Sequence, residues 1–478
     1  MAGRYLVHTF GCQMNAHDSD RMEEVLRAHG WTLGESVDAC DLVVLNTCSV
    51  REKAEQKLRS EVGKLAPLKA KNPELVIAVA GCVAQQEGEK LLARVAHLDL
   101  VIGPDNIAEL PALVNEQRGG APPRARTVFD VDAPRFLAAA PRAGEAPVSA
   151  FVTTMKGCDE RCSFCIVPYT RGPERYRSSD EIVAEIARWV DAGAREVTLL
   201  GQTVDSYRDE ALPPPESDDP DESQFSHLLR AIAARVPGLR RLRYTSPHPR
   251  HATASLARAH AELDVLAEHV HMPVQSGSDR ILKRMIRRYT RAEYTERVRR
   301  LTASRAGMTL STDIIVGFPG ETDAEFAATL DLVREIGFVG VFGFKYSPRP
   351  FTPALKLAND VSEEAKSERL ARLFEVSEAQ IRAHLATLVG TRQRVLVEGP
   401  SKAGAALVEG RTQRNEIVHL EAPEGRAVIG ALVEVDVVRA NKHSLVGTLT
   451  PDAIAALPPA GGHQAYGPRR RRALPLAG

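Results

Sequence analysis

No apolar run in this chain is long enough to cross a bilayer, and the opening Met1-Ala2-Gly3-Arg4-Tyr5 lacks the apolar core of a secretory signal. The expected setting is the cytoplasm, with no membrane partner. Net formal charge is missing as well: 62 Lys and Arg offset 62 Asp and Glu, so overall charge gives no sign of nucleic acid. Cysteine is scarce, seven residues in 478, and its metal-like spacings without a secretory signal argue for a reducing compartment. What remains, 44% apolar and 26% charged, describes a globular chain of about two to four domains.

Three of the cysteines stand together in Cys158-Asp-Glu-Arg-Cys162-Ser-Phe-Cys165. This C-x3-C-x2-C spacing fits one tight loop and suits three corners of a cubane iron–sulfur cluster. No fourth cysteine follows nearby, so one iron would be left open to a substrate or cofactor. A zinc site is the rival reading, but zinc patterns normally supply two pairs of ligands. Three unrelated buried thiols are the bland one. The loop follows Phe151-Val152-Thr153-Thr154-Met155, which reads as a strand.

Cys12, Cys48 and Cys82 share a context. Each follows an apolar run, Tyr5–Phe10, Leu42–Asn46 and Leu75–Ala80 respectively, and Gly11 and Gly81 precede two of them. Helical segments, about Asp18–His29 closed by Gly30 and Glu52–Leu65, separate the strands. Strand–helix–strand repetition implies a parallel sheet, which would gather the three cysteines at its carboxyl edge as a second three-ligand cluster site. Cys40, in Asp38-Ala39-Cys40-Asp41, reads as a structural thiol.

The organisation follows. An N-terminal parallel α/β sheet domain spans 1–118, and a Pro-, Ala- and Gly-rich linker spans 119–149. From 150 to 388 a strand-then-helix pattern repeats six times, with strands near 151–156, 196–201, 241–246, 270–275, 310–316 and 340–346. Helices such as Asp180–Ala192 and Ala252–Glu268 lie between. Six units are too few for an eight-stranded barrel, so an open (β/α)6 barrel is expected, its site at the carboxyl ends of the strands. The acidic stretch Pro213–Glu222 reads as a passive surface insertion. After a helix over Ser362–Leu388, five short strands (Arg394–Glu398, Ala405–Gly410, Glu416–Glu421, Leu432–Arg439, Leu445–Leu449) predict a small β-barrel over 389–450. Its loop cations Lys402, Arg411, Arg414, Lys442 and His443 favour RNA over passive packing. The basic residues between Arg280 and Arg305, among them Arg284, Arg287, Arg288, Arg291 and Arg297, form either a phosphate-contacting surface or a solvated helix face. Residues 451–478, with the Arg469–Arg472 run, are expected to be a disordered basic tail.

The triplet resembles the signature of radical S-adenosylmethionine (SAM) enzymes, and the chain up to about residue 450 resembles the methylthiotransferases. That resemblance implies an N-terminal cluster domain, a radical-SAM core and a C-terminal TRAM barrel. The strings Thr9-Phe10-Gly11-Cys12-Gln13-Met14-Asn15, Asn46-Thr47-Cys48-Ser49-Val50-Arg51-Glu52-Lys53-Ala54-Glu55, His271-Met272-Pro273-Val274-Gln275-Ser276-Gly277-Ser278 and Tyr346-Ser347-Pro348-Arg349-Pro350 are similar to those of tRNA 2-methylthio-N6-(dimethylallyl)adenosine synthases. Two departures stand out: Gly201-Gln202-Thr203-Val204-Asp205 replaces an Asn-containing version, and Phe351 stands where the family often has Gly.

The resemblance implies methylthiolation at C2 of N6-(dimethylallyl)adenosine at position 37 of tRNA. C2 carries an unactivated hydrogen, so acid–base chemistry cannot easily replace it, whereas a carbon radical can. The implied cofactors are two 4Fe-4S clusters, on Cys158, Cys162 and Cys165 for radical generation and on Cys12, Cys48 and Cys82 for sulfur, together with SAM. Two SAM molecules are spent per product, one giving a methyl group and the other the radical. An electron donor and a sulfur source are needed too, neither named by the sequence. Strand-end positions place Gly201, Gln202, Ser246, Gln275, Asp313 and Gly317 as SAM contacts. Phe164 could shield the cluster, stack on adenine or simply pack, and His248 reads as structural. The competing readings are a methylthiotransferase for threonylcarbamoyl-adenosine in tRNA or for a ribosomal protein, and a non-enzymatic iron–sulfur RNA-binding protein. The Cys-Gln-Met-Asn and Pro-Val-Gln-Ser-Gly-Ser strings argue against the former. The latter leaves the open-iron triplet and the six-unit barrel unexplained.

Overall fold

In the computed structural model, described for residues 3–50, 52–132, 134–139, 141, 146–404 and 406–459, the chain begins with a six-stranded parallel sheet. Its strands are β1 (Arg4–Phe10), β2 (Thr32–Leu33), β3 (Leu42–Thr47), β4 (Val76–Gly81), β5 (Leu100–Ile102) and β6 (Arg124–Arg126), in the order β2-β1-β3-β4-β5-β6. β3 and β4 are buried along their whole length, because helices cover both faces and every second side chain enters one of two apolar layers. One layer holds Leu6, Val43, Leu45, Ile77 and Val79; the other holds Tyr5, Val7, Leu42, Val44 and Val76. Each such side chain contributes roughly 1.5–3 kcal/mol on burial. The sheet reaches past the expected boundary at 118. Arg124–Arg126, placed in the linker by composition, pairs in parallel with β5 because its ladder bonds are worth more than its polar side chains suggest.

The core follows with β7 (Ser149–Thr153), a short antiparallel ribbon of β8 (Met155–Lys156) and β9 (Arg175–Tyr176), then β10 (Glu196–Leu200), β11 (Arg241–Tyr244), β12 (His269–His271), β13 (Thr309–Val316) and β14 (Gly340–Lys345). The first expected strand is therefore broken. Thr154 turns its N–H and hydroxyl onto the Leu200 carbonyl, ending β7 and starting the ribbon that brackets the cysteine loop. The six parallel strands form two three-stranded sheets, β11-β10-β7 and β12-β13-β14. They meet where Leu242 pairs with Leu266. This joint explains why the helix expected over Ala252–Glu268 stops at Glu262: residues 265–267 pair with β11 instead. The acidic insertion lies at the surface and is tied to the core by ion pairs. Glu222 is buried, Asp221 pairs with Arg250 and Arg297, and Glu216 pairs with Arg230 and Arg258.

The helix Glu363–Thr387 packs against β14 and leads into a closed barrel of β15 (Arg392–Pro400), β16 (Leu407–Thr412), β17 (Ile417–Glu421), β18 (Leu432–Ala440) and β19 (Leu445–Leu449), ordered β15-β16-β17-β19-β18. The barrel docks on the amino ends of the core strands. Arg241, 1% exposed, donates to Gln413 Oε1 (2.6 Å) and the Arg411 carbonyl (3.1 Å), while Arg243 reaches the Thr412 carbonyl (3.0 Å) and both pair with Glu196. The tail expectation is corrected at its start: Pro451–Ala456 forms a helix capped by Thr450, and Pro459 bridges Arg426. Arg469–Arg472 lies outside the described residues. Among the described residues no helix is long and apolar enough to cross a membrane.

Candidate metal centres

Cys12, Cys48 and Cys82 come together at the carboxyl edge of the first sheet. Cys12 is the N-cap of the helix Gln13–Ala28, which starts five residues earlier than its apolar pattern suggests; Cys48 follows β3, and Cys82 opens the helix after β4. Crowding at this edge is what requires the two glycines. A side chain on Gly81 (φ 89°) would stand 2.3 Å from Asn46 Oδ1, and one on Gly11 (φ 133°) would stand 2.5 Å from Cys48 Cβ. Two fully buried asparagines lock the strand ends. Asn15 Nδ2 donates to Asn46 Oδ1 and the Thr47 carbonyl (both 3.2 Å), and Asn46 Nδ2 donates to the Asn15 carbonyl (2.8 Å) and Ser19 Oγ (2.9 Å). A hydrogen bond from Cys48 is the largest influence on Cys12, whose thiol falls to about 6; its partner is pushed well up by the same bond and by burial. Burial raises Cys82 despite the Arg171 charge beside it. Cys40 is buried apart from the set and donates to the Ser36 carbonyl (3.0 Å), as a structural thiol should.

Cys158, Cys162 and Cys165 occupy the loop between β8 and β9. Cys158 Sγ lies 2.9 Å from Thr203 Oγ1, Cys162 Sγ accepts from Arg287 Nη1 (3.3 Å), and Cys165 Sγ accepts the Val167 N–H (3.5 Å). Burial pushes the Cys158 thiol up and lifts Cys165 to about 12. A buried thiol set of this kind ionises when a soft metal offsets the desolvation, the donor chemistry that an iron–sulfur cluster offers. Among the described residues no three His, Cys, Asp or Glu side chains close around a single ion. Phe164 packs against a small apolar cluster with Ile281, Met285, Phe318 and Tyr346.

Arg171 reaches from the core domain to the N-terminal cysteine set. It follows the Cys165 loop in sequence, yet its Nε donates to Cys82 Sγ (3.3 Å) and its Nη2 to Asp18 Oδ2 (2.6 Å) in the other domain. Burial opposes its charge, but Asp18 and the cysteines hold the guanidinium firmly protonated. Further ion pairs cross the same boundary: Arg175 to Asp105 (2.5 Å), Lys156 to Asp105 (3.1 Å), Arg21 to Glu185 (3.8 Å) and Arg349 to Glu55 (3.2 Å).

At the carboxyl ends of the core strands, both polar atoms of the Gln202 amide are buried without a protein partner. Ser246 (φ 60°) and Gln275 (φ 77°) hold left-handed backbone, a strained arrangement that persists where function demands it. Asp313 Oδ1 lies 3.3 Å from His271 Nε2. These features suit a polar ligand. At Gly201 a side chain would meet Met155 Cγ at 2.8 Å and at Gly317 Lys366 Cγ at 2.3 Å, so both positions need glycine, and the Gly317 N–H is bonded to Glu321 (2.6 Å). His248 is buried, and burial drives its imidazole well toward the neutral form.

Arg171 and Arg287 carry the site's positive charge, and nothing in their sequence spacing marks them. Arg287 lies in the run whose two readings were a phosphate surface and a solvated face; it is instead buried, bonded to Cys162, Tyr289 and the Pro273 carbonyl. Its neighbours Arg280, Arg291 and Arg297 pair with Glu325, Glu335 and Asp221. In the barrel, Arg411, Arg414 and Lys442 are engaged by Glu398, Glu416 and Glu378.

Comparison with known proteins now adds to this geometry. The family model described as Uncharacterized protein family UPF0004 matches residues 4–103, that of the Radical SAM superfamily matches 152–333, and that of the TRAM domain matches 386–450. The chain is 63% identical, over 99% of its length and 98% of the relative's, to a tRNA-2-methylthio-N(6)-dimethylallyladenosine synthase of Sorangium cellulosum. It is 43% identical, over 94% and 99%, to a protein of the same description from Ralstonia nicotianae. A solved radical S-adenosylmethionine methyltransferase, TsrM, from Kitasatospora setae superposes with a TM-score of 0.52 at 16% identity, covering 74% of this chain and 77% of that one. The last is a likeness of fold alone.

Proposed function

The chain belongs to the family of the tRNA-2-methylthio-N(6)-dimethylallyladenosine synthases, and on that premise we propose that it replaces the C2 hydrogen of N6-(dimethylallyl)adenosine at position 37 of tRNA with a methylthio group. The observation that supports this reading is the gathering of Cys12, Cys48 and Cys82 at one sheet edge, where Arg171 of the core domain donates to Cys82. Cys158, Cys162 and Cys165 would hold one 4Fe-4S cluster, and Cys12, Cys48 and Cys82 the other. When bound, these clusters and SAM supply the radical and sulfur chemistry that side chains lack.

The chain's own part is to position, to balance charge and to exclude water. Arg287 and Arg171 each place a hydrogen-bonded cation on one thiolate of a set, and such outer contacts orient ligands and tune a metal site. The unpartnered amide of Gln202 and the left-handed Ser246 and Gln275 support a SAM site on the core's carboxyl edge, with Asp313 at its side. Gly201 and Gly317 shape that edge by letting Met155 and Lys366 approach. The TRAM barrel adds tRNA affinity. An electron donor and a sulfur source complete the set of partners, and the reaction takes place in the cytoplasm.

The test is anaerobic reconstitution with reductant and SAM, followed by mass spectrometry of the nucleosides from two tRNA substrates. The dimethylallylated tRNA should yield 2-methylthio product together with 5′-deoxyadenosine. Loss of the buried apolar group should cost about 1–3 kcal/mol in selectivity. Equal turnover on unmodified adenosine would sink the assignment.

A further inference from the structure

Two apolar residues beside the Cys158–Cys165 loop sit exposed on backbone that disfavours them. Phe351 has φ 68° and is 57% exposed; Ile286 has φ 57° and is 36% exposed. Left-handed backbone is routine for glycine and uncommon for bulky side chains, more so for a β-branched one. Strain of this kind persists at sites where a side chain must be presented in a fixed place. Phe351 is not isolated. Its ring centroid lies 5.8 Å from that of Tyr169, which is 40% exposed, and Val50 and Leu355 are exposed as well.

The ties of these segments fix where the ring pair stands. The Ala354 N–H donates to the Ser163 carbonyl (2.8 Å), fastening the Phe351 segment to the loop between Cys162 and Cys165. On its other side Arg349 donates to the Val50 carbonyl (3.0 Å), and the Val50 N–H donates to Cys48 Sγ (3.3 Å). Tyr169 belongs to the short helix Val167–Thr170, whose first N–H reaches Cys165 Sγ. The aromatic pair therefore sits on segments tied to both cysteine sets, to Cys165 and the Ser163 carbonyl on one side and through Val50 to Cys48 on the other. An aromatic face left open beside both cysteine sets is available to whatever carries the reacting group to them.

We propose that Phe351, backed by Tyr169, is a stacking platform for an unpaired base directly beside the adenosine that is modified. The proposal rests on the function proposed above, in which the reacting base must leave its stack to reach the cysteine sets. Its neighbour in the loop then loses a stacking partner, and an exposed ring replaces it without regard to base identity. Membrane lipid or a protein partner would cover the same patch without being delivered there by the reaction.

The experiment uses the full-length reconstituted protein and dimethylallylated anticodon stem–loops carrying 2-aminopurine on one side or the other of the target. Stacking on Phe351 should quench the fluorescence of one of the two probes. Phe351→Gly suits the left-handed backbone and so threatens folding little. It should abolish that quench and raise KM for tRNA about tenfold (about 1.4 kcal/mol), with a smaller change in kcat. Phe351→Tyr should restore both, and Tyr169→Leu should show a weaker form of the same defect. Unchanged quench and KM in Phe351→Gly would overturn the proposal, as would a fall in kcat alone. If the unaltered protein quenches the probe yet forms no methylthio product, the proposed function fails and the platform stands.

Discussion

Removing the Arg171 side chain should weaken the docking of the N-terminal domain on the core. Arg171 is 5% exposed and its partner Asp18 6%, with 2.6 Å between guanidinium and carboxylate. Arg171→Ala leaves Asp18 buried with only His17, 3.9 Å away, as a possible counter-charge. Breaking a buried pair by deleting one partner costs about 3–5 kcal/mol, most of it from the abandoned charge. Asp18→Asn removes that charge, so the double variant should cost less than the sum of the two single ones by about 1 kcal/mol or more. The two tryptophans make the measurement separable, since Trp31 lies in the first domain and Trp189 in the core, both buried. Guanidinium unfolding of Trp31→Phe and Trp189→Phe backgrounds, metal-free, reports each domain in turn. The loss should fall on the Trp31 transition. The pH dependence has a definite sign: burial works to raise Asp18, but Arg171 outweighs it and the carboxyl is held below its ordinary value of 3.8. The contribution is therefore present above the unfolded pKa and lost as pH falls through the folded one. An Arg171→Ala protein within about 1 kcal/mol of the parent, with the same acid sensitivity, would refute the reasoning.

Three further outcomes are expected. Cys162→Ala should abolish 5′-deoxyadenosine formation, whereas Cys12→Ala, Cys48→Ala and Cys82→Ala should lose iron and methylthio product while still cleaving SAM; Cys40→Ala should keep both and cost about 1 kcal/mol, and iron loss in that variant alone would reverse the ligand assignment. Removing residues from Thr391 onward should weaken tRNA binding and flatten its salt dependence, and it should also destabilise the core by about 1–3 kcal/mol, because Arg241 loses its Gln413 and Arg411 acceptors; a truncated protein with parental tRNA affinity would reduce the barrel to a packing module. Asp205→Asn should flatten the pH dependence of core stability: burial lifts Asp205 from 3.8 to about 7, so its contribution is full below the unfolded pKa and is lost as pH rises through about 7, at up to ~1.4 kcal/mol per pH unit, and an unchanged slope in thermal melts would disprove this.

What was legible in the sequence was legible because it is local or periodic. Cys158, Cys162 and Cys165 announce themselves by spacing within one loop. Cys12, Cys48 and Cys82 do so because each ends an apolar strand, and parallel strands bring their carboxyl ends to one edge. The same logic found all six core strands and the closed barrel. It failed where a residue's partner lies far along the chain. Arg171 and Asp18 are 153 residues apart, and Arg287 and Cys162 are 125 apart, so no window of sequence contains both members of either pair. A cation in a basic run looks solvated until its carboxylate is known, which is why Arg287 passed as one of a charged series. Arg124–Arg126 was missed for the opposite reason, since a strand at a sheet edge needs only backbone partners and leaves no apolar trace.

The distribution of these long-range pairs has a chemical consequence. Asp18, Asp105 and Glu55 of the first domain meet Arg171, Arg175, Lys156 and Arg349 of the core, so ion pairs cross the boundary between the two domains. A purely apolar boundary could slide at little cost, whereas buried ion pairs demand one register, because each displaced partner is left as an uncompensated charge. A reaction that draws on two cysteine sets for one carbon atom needs that register. Arg171 ties it to the chemistry itself, since the guanidinium that pairs with Asp18 also touches Cys82. Asp18→Asn alone should then disturb both: the guanidinium loses its carboxylate and turns further toward Cys82, so the reduction potential of the N-terminal cluster should rise while domain docking weakens. Redox titration followed by electron paramagnetic resonance reads the first effect and the Trp31 transition the second. A shift in docking with no shift in potential would show that Arg171 fastens the domains without tuning the cluster.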